Sequence, residues 1–124
     1  MSWCFAEERT DSTDQLLGRL GAESALVPGL WILEVANVLL VAERRGRITA
    51  ARSAQFLSVL QSLSIVVANT ELVLAADLIS LAREHSLSAY DSAYVALALR
   101  AGLPIATRDR DVAAAAAVLG IPVL

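Results

Sequence analysis

Three carboxylates, Glu34, Asp91 and Asp109, are the side chains of this 124-residue chain best suited to chemistry. Glu34 lies inside Leu30-Trp31-Ile32-Leu33-Glu34-Val35-Ala36-Asn37-Val38-Leu39-Leu40, with apolar residues on nearly every side of a helical wheel and Asn37 one turn on. An ionised carboxylate among such residues is costly unless it is paired, hydrogen-bonded or bound to a metal. Asp91 stands three residues after Ser88, a spacing that resembles a capping box, and locally capping is the better reading. Asp109 precedes an Ala-rich segment and reads equally well as an N-cap. It also falls just past the carboxyl end of a short apolar stretch, where open α/β sheets place their ligands. Asp111 suits the dipole of the same helix start. Taken together, three carboxylates without His or Cys select a hard ion such as Mg²⁺ or Mn²⁺. An ion of that kind orients a phosphodiester, acidifies an attacking water and stabilises the leaving oxygen.

The elements that must position these acids follow from cap signals and apolar periodicity. Residues 10–21 read as a short helix ended by Gly21, and 25–27, before Pro28, as a buried strand. A helix over 30–45 stops at Gly46, with Arg44 and Arg45 in its last turn. Thr49 caps a helix to 63, the β-branched 64–67 form a strand, and Thr70 opens a helix to 84. Ser88 caps a helix to Arg100, ended by Gly102. The remainder reads as a strand over 103–106, a helix over 109–119 and a strand over 121–124. Tyr90, Tyr94 and Leu97 fall at helical spacing and read as packing. Short apolar strands separated by helices define the α/β class, with a parallel sheet covered on both faces. The chain opens directly on Trp3-Cys4-Phe5, so no first strand is expected.

Bulk composition narrows the setting. The length suits one domain. At 56% hydrophobic, 19% charged and a mean hydropathy of +0.59, the chain must bury its helices on more than one side or reserve surface for an oligomer interface. No uninterrupted apolar run approaches the roughly 18–20 residues of a membrane span, and the N-terminus lacks the pattern of a signal peptide. The lone Cys4, between Trp3 and Phe5, cannot form an internal disulfide, which suits the cytoplasm, and reads as a small buried hydrophobe. All ten basic residues are Arg, and the net charge of −3 argues against holding nucleic acid by bulk electrostatics. Nucleic-acid chemistry would have to be local and metal-assisted. His85, beside Glu84 at a helix end, reads as a dipole partner. Arg108 and Arg110 flank Asp109 and serve equally as phosphate contacts or as solvated loop residues.

Across essentially its whole length the chain resembles PIN-domain ribonucleases, in particular the VapC toxins of toxin–antitoxin pairs. The resemblance rests on Trp31-Ile32-Leu33-Glu34-Val35-Ala36-Asn37-Val38-Leu39, on Leu87-Ser88-Ala89-Tyr90-Asp91-Ser92-Ala93-Tyr94-Val95-Ala96-Leu97-Ala98, and on Pro104-Ile105-Ala106-Thr107-Arg108-Asp109-Arg110-Asp111. It implies that Glu34, Asp91 and Asp109 bind Mg²⁺ or Mn²⁺ and support cleavage of single-stranded RNA, with Thr107 as a hydroxyl near the last carboxylate. It further implies a PIN-like parallel sheet flanked by helices, a homodimer, and a small cognate antitoxin lying across the active-site groove. Members of that family begin with a hydrophobic strand ending in Asp. Here Ser2-Trp3-Cys4-Phe5-Ala6-Glu7-Glu8 resembles the turn that follows it, and Glu7 and Glu8 match a helix-entry position. The expectation is therefore a single PIN-like domain over 1–124, N-terminally truncated, without its first central strand and first metal ligand. Two functions are carried forward: a divalent-metal-dependent endoribonuclease, and a catalytically impaired PIN-fold interaction module that dimerises or binds an antitoxin without cutting. A phosphatase-like enzyme is the weakest option, because there is no P-loop and Asp109-x-Asp111 opens a helix.

Overall fold

The computed structural model describes residues 3–5, 24–68 and 75–124. Within them the chain forms strands β1 (Trp3–Phe5), β2 (Ala25–Pro28), β3 (Ile65–Ala68) and β4 (Ile105–Ala106). The helices are α1 (Leu30–Arg44), α2 (Ala50–Ser62), α3 (Ala75–His85), α4 (Ala89–Ala101) and α5 (Arg110–Val118). The class is α/β, with one sheet flanked by helices. The expected helix over 10–21 and the expected cap at Thr70 lie outside the described residues.

Local sequence accounts for the helix ends. Thr49 Oγ1 accepts from the Arg52 amide at 3.2 Å and starts α2. Ser88 Oγ accepts from the Asp91 amide at 3.0 Å and starts α4. Helix α4 ends at Gly102, whose φ of 66° is the left-handed conformation that a residue without Cβ adopts most cheaply. Gly46 follows α1 with φ 68° and donates to the Glu43 carbonyl at 3.0 Å.

The strand order is β3-β2-β1-β4. Strands β2 and β3 are parallel, pairing Ala25 with Ile65 through Pro28 with Ala68. Strand β1 departs from the parallel expectation: it runs antiparallel to both neighbours, with Cys4 opposite Leu26 on one side and Ile105 on the other. A centre expected to lack its first strand is thus filled by three residues, which give β2 and β4 backbone partners that would otherwise be orphaned. The expected strand over 121–124 shrinks to one parallel bridge between Ile105 and Val123. Pro122 has no amide to donate there, and only its carbonyl is used, by the Ile105 amide at 2.9 Å.

The main core joins Val27 of β2, Trp31 and Val35 of α1, Tyr94, Val95 and Ala98 of α4, Ile105 of β4, and Val112, Ala115 and Ala116 of α5. It thereby locks α1, α4 and α5, the helices that carry or follow the three acids, onto one core with β2 and β4. The apolar excess is not all absorbed: Ile32, Leu33 and Val38 on α1 and Phe56, Leu57 and Val59 on α2 are exposed. Among the described residues no helix is long and apolar enough to cross a membrane.

Candidate active site

Glu34 sits in the second turn of α1, half-buried. Its wheel is less uniformly packed than the sequence suggests. Trp31 and Val35 are buried on one flank, whereas Ile32 and Leu33 are 54% and 73% exposed on the other. Asn37 is exposed as well. Glu34 therefore stands at the margin of the core, and what holds it is the hydroxyl of Tyr94 on α4, which donates to its Oε1.

Asp91 occupies the first turn of α4, so its backbone is fixed by the Ser88 cap while its carboxyl group is half-buried. Burial raises the pKa of that carboxyl above the ordinary 3.8, and the charge of Asp109 adds to the rise. A side-chain hydrogen bond with Ser88 opposes it, and the charge of Glu34 pushes upward again. Asp91 thus feels both of the other acids at once.

Asp109 is the N-cap of α5, as its position suggested. Its Oδ1 accepts from the amides of Asp111 at 2.9 Å and Val112 at 3.0 Å. The Asp109 amide in turn donates to Thr107 Oγ1 at 3.1 Å, so Thr107 shapes the turn that delivers Asp109 from β4. Both capping bonds fall on Oδ1, and Asp109 is exposed. Capping and ligand duty are therefore compatible in one side chain.

The tertiary structure brings Asp109 and Glu34 within electrostatic reach of Asp91, yet it does not close the three into a cage. Among the described residues no group of three or more His, Cys, Asp or Glu side chains is arranged to hold a metal ion. The donor chemistry nevertheless fits a hard divalent cation: the donors are all oxygens, and the half-buried Asp91 lies within the field of both other acids.

Other expected residues divide. Tyr90 is 68% exposed, which overturns its reading as packing, whereas Tyr94 is buried at 1% and Leu97 packs against the core. Tyr94 was legible as a core ring; its polar role was missed, although a buried phenol always needs a partner for its hydroxyl. Arg108 and Arg110 are exposed on either side of Asp109. His85 Nε2 lies 3.8 Å from Glu84 Oε2 at the end of α3, as a helix-terminal residue would. Glu7 and Glu8 fall outside the described residues.

The fold is an α/β domain with a mixed sheet flanked by helices, and its three expected acids stand on α1, on α4 and in the β4–α5 turn. The PIN domain family profile matches residues 1–118, and the chain belongs to that family. PIN domains are generally nucleases and usually bind divalent metal ions. Among solved structures, the chain is similar to PAE2754 from Pyrobaculum aerophilum, with 28% identity and a TM-score of 0.66 over 82% of this chain and 73% of that one. Comparison with curated proteins returned no match.

Proposed function

We propose that this PIN domain is a divalent-metal-dependent endoribonuclease of the VapC toxin type, with Glu34, Asp91 and Asp109 as its metal-binding and catalytic acids. The observation that carries the reading is that one packed core presents Glu34 on α1, Asp91 on α4 and Asp109 at the start of α5 in a chain of the PIN family, with the charges of Asp109 and Glu34 both felt at Asp91. Mg²⁺ or Mn²⁺ held by these three acids would orient the scissile phosphodiester, acidify the attacking water and neutralise the leaving oxygen. The chain's own part is to present oxygens. Glu34 has Oε1 engaged by Tyr94, Asp109 has Oδ1 engaged by its cap, and Asp91 contributes a half-buried carboxyl. Arg108 and Arg110, exposed beside Asp109, supply local positive charge for RNA phosphates in a chain whose net charge is −3. A cytoplasmic homodimer and a cognate antitoxin belong to the same reading, and the exposed apolar side chains of α1 and α2 are consistent with protein partners.

The test is Mn²⁺ titration calorimetry alongside cleavage of single-stranded RNA. Binding should be present in the wild type and largely abolished in Asp91→Asn, with cleavage lost in parallel. Unchanged Mn²⁺ binding in Asp91→Asn would contradict the assignment.

A further inference from the structure

We infer that Tyr94 is the positioning residue of the acidic site: its buried hydroxyl fixes the Glu34 carboxylate so that one oxygen is held by the protein and the other is left to serve the site. The inference rests on the site proposed above. It stands on three features of the structure. Tyr94 is 1% exposed and forms part of the core, so its ring has a single place to be. Its hydroxyl reaches across from α4 to Oε1 of Glu34 on α1, sixty residues away in sequence. Glu34, by contrast, is only half-buried, with exposed Ile32 and Leu33 before it, so a side chain with three rotatable bonds needs a restraint. A rigid donor on a neighbouring helix supplies that restraint.

Position in the helix reinforces the point. Tyr94 lies one turn after Asp91 on α4, so the helix that carries one acid also carries the donor that orients another. The spacing between Asp91 and Glu34 is then set by α4 as a unit, through a backbone cap at Ser88 and a phenol at Tyr94. A carboxylate acting as a metal ligand is ordinarily held by such an outer hydrogen bond, and losing that bond typically lowers metal affinity about 10–100-fold.

Tyr94→Phe is the variant of choice, because it deletes one oxygen and keeps the packed ring. The first measurement is made on metal-free protein: NMR side-chain couplings of Glu34, with a thermal melt as a control for folding. Wild type should show one dominant Glu34 rotamer and Tyr94→Phe several, at closely similar melting temperature. A single unchanged rotamer in Tyr94→Phe overturns the inference, whether or not the protein binds metal. The second measurement is Mn²⁺ titration of wild type, Tyr94→Phe and Asp91→Asn. The Kd in Tyr94→Phe should rise at least about tenfold, whereas the wild-type Kd in that variant overturns the positioning role. If wild type itself takes up no Mn²⁺, the proposed function fails, and the rotamer measurement still decides the role of Tyr94.

Discussion

The charge of Asp109 adds to the rise that burial gives the pKa of Asp91, although the two belong to different helices and each takes part in a helix cap. Like charges drawn together in this way destabilise a folded chain unless something else compensates, and the cost should be measurable without any ligand.

For Asp91 the direction of the effect is fixed. The folded state binds this proton more tightly than the unfolded chain, whose carboxyl titrates at the ordinary 3.8. The stability associated with protonated Asp91 is therefore complete below that value and is lost as pH climbs through the higher folded-state pKa. Metal-free Asp91→Asn should escape that loss and melt a few degrees above wild type at neutral pH, on the order expected for a small change in a domain of this size. Melting curves between pH 3 and pH 7 check it. Parallel pH profiles for the two proteins would show that Asp91 carries no such strain.

The two duties of Asp109 are separable. Asp109→Ala removes the N-cap of α5 and should cost about 0.5–2 kcal/mol of stability. Asp109→Asn keeps an oxygen able to accept from Asp111 and Val112, so its stability should stay near wild type while Mn²⁺ binding falls. Chemical denaturation paired with calorimetry tests both. Equal destabilisation by Asn and Ala would place the importance of Asp109 in its charge alone.

Ion selectivity follows from how the oxygens are used. Tyr94 engages Glu34 Oε1 and the α5 cap engages Asp109 Oδ1, so each acid is disposed to offer a single oxygen. Single-oxygen ligation suits the octahedral shell of Mg²⁺, whereas Ca²⁺ favours larger shells with bidentate carboxylates. Calcium should bind on the order of tenfold more weakly than Mn²⁺, a difference of about 1.4 kcal/mol. Competition calorimetry measures the ratio, and comparable affinities would reject the single-oxygen arrangement.

Gly102 offers a control remote from the site chemistry. A Cβ placed there would meet nothing within 4 Å, so steric room is ample. Its φ of 66° still penalises any other residue. Gly102→Ala should therefore cost about 1 kcal/mol and leave Mn²⁺ affinity unaltered. A variant as stable as wild type would mean that the end of α4 relaxes freely.

Much of this architecture is written locally. Thr49, Ser88 and Asp109 each have a short side-chain oxygen at the residue before a helix, and Gly46 and Gly102 each supply the left-handed residue after one. Such interactions span three or four residues, so the α/β class and five helix positions were readable from sequence. Glu34, Asp91 and Asp109 could be singled out as candidates too, although each had an ordinary local explanation, and the caps at Ser88 and Asp109 are present. Tertiary structure decided the rest. Only the packing of α1, α4 and α5 onto one core could show that Asp91 feels both other acids. The antiparallel run of Trp3–Phe5 between β2 and β4 has no local signature, because strand direction is set by partners far away in sequence. Tyr94 makes the contrast plainest. Its ring announced a core position through helical spacing, but the target of its hydroxyl lay sixty residues away, and only the crossing of two helices could disclose it.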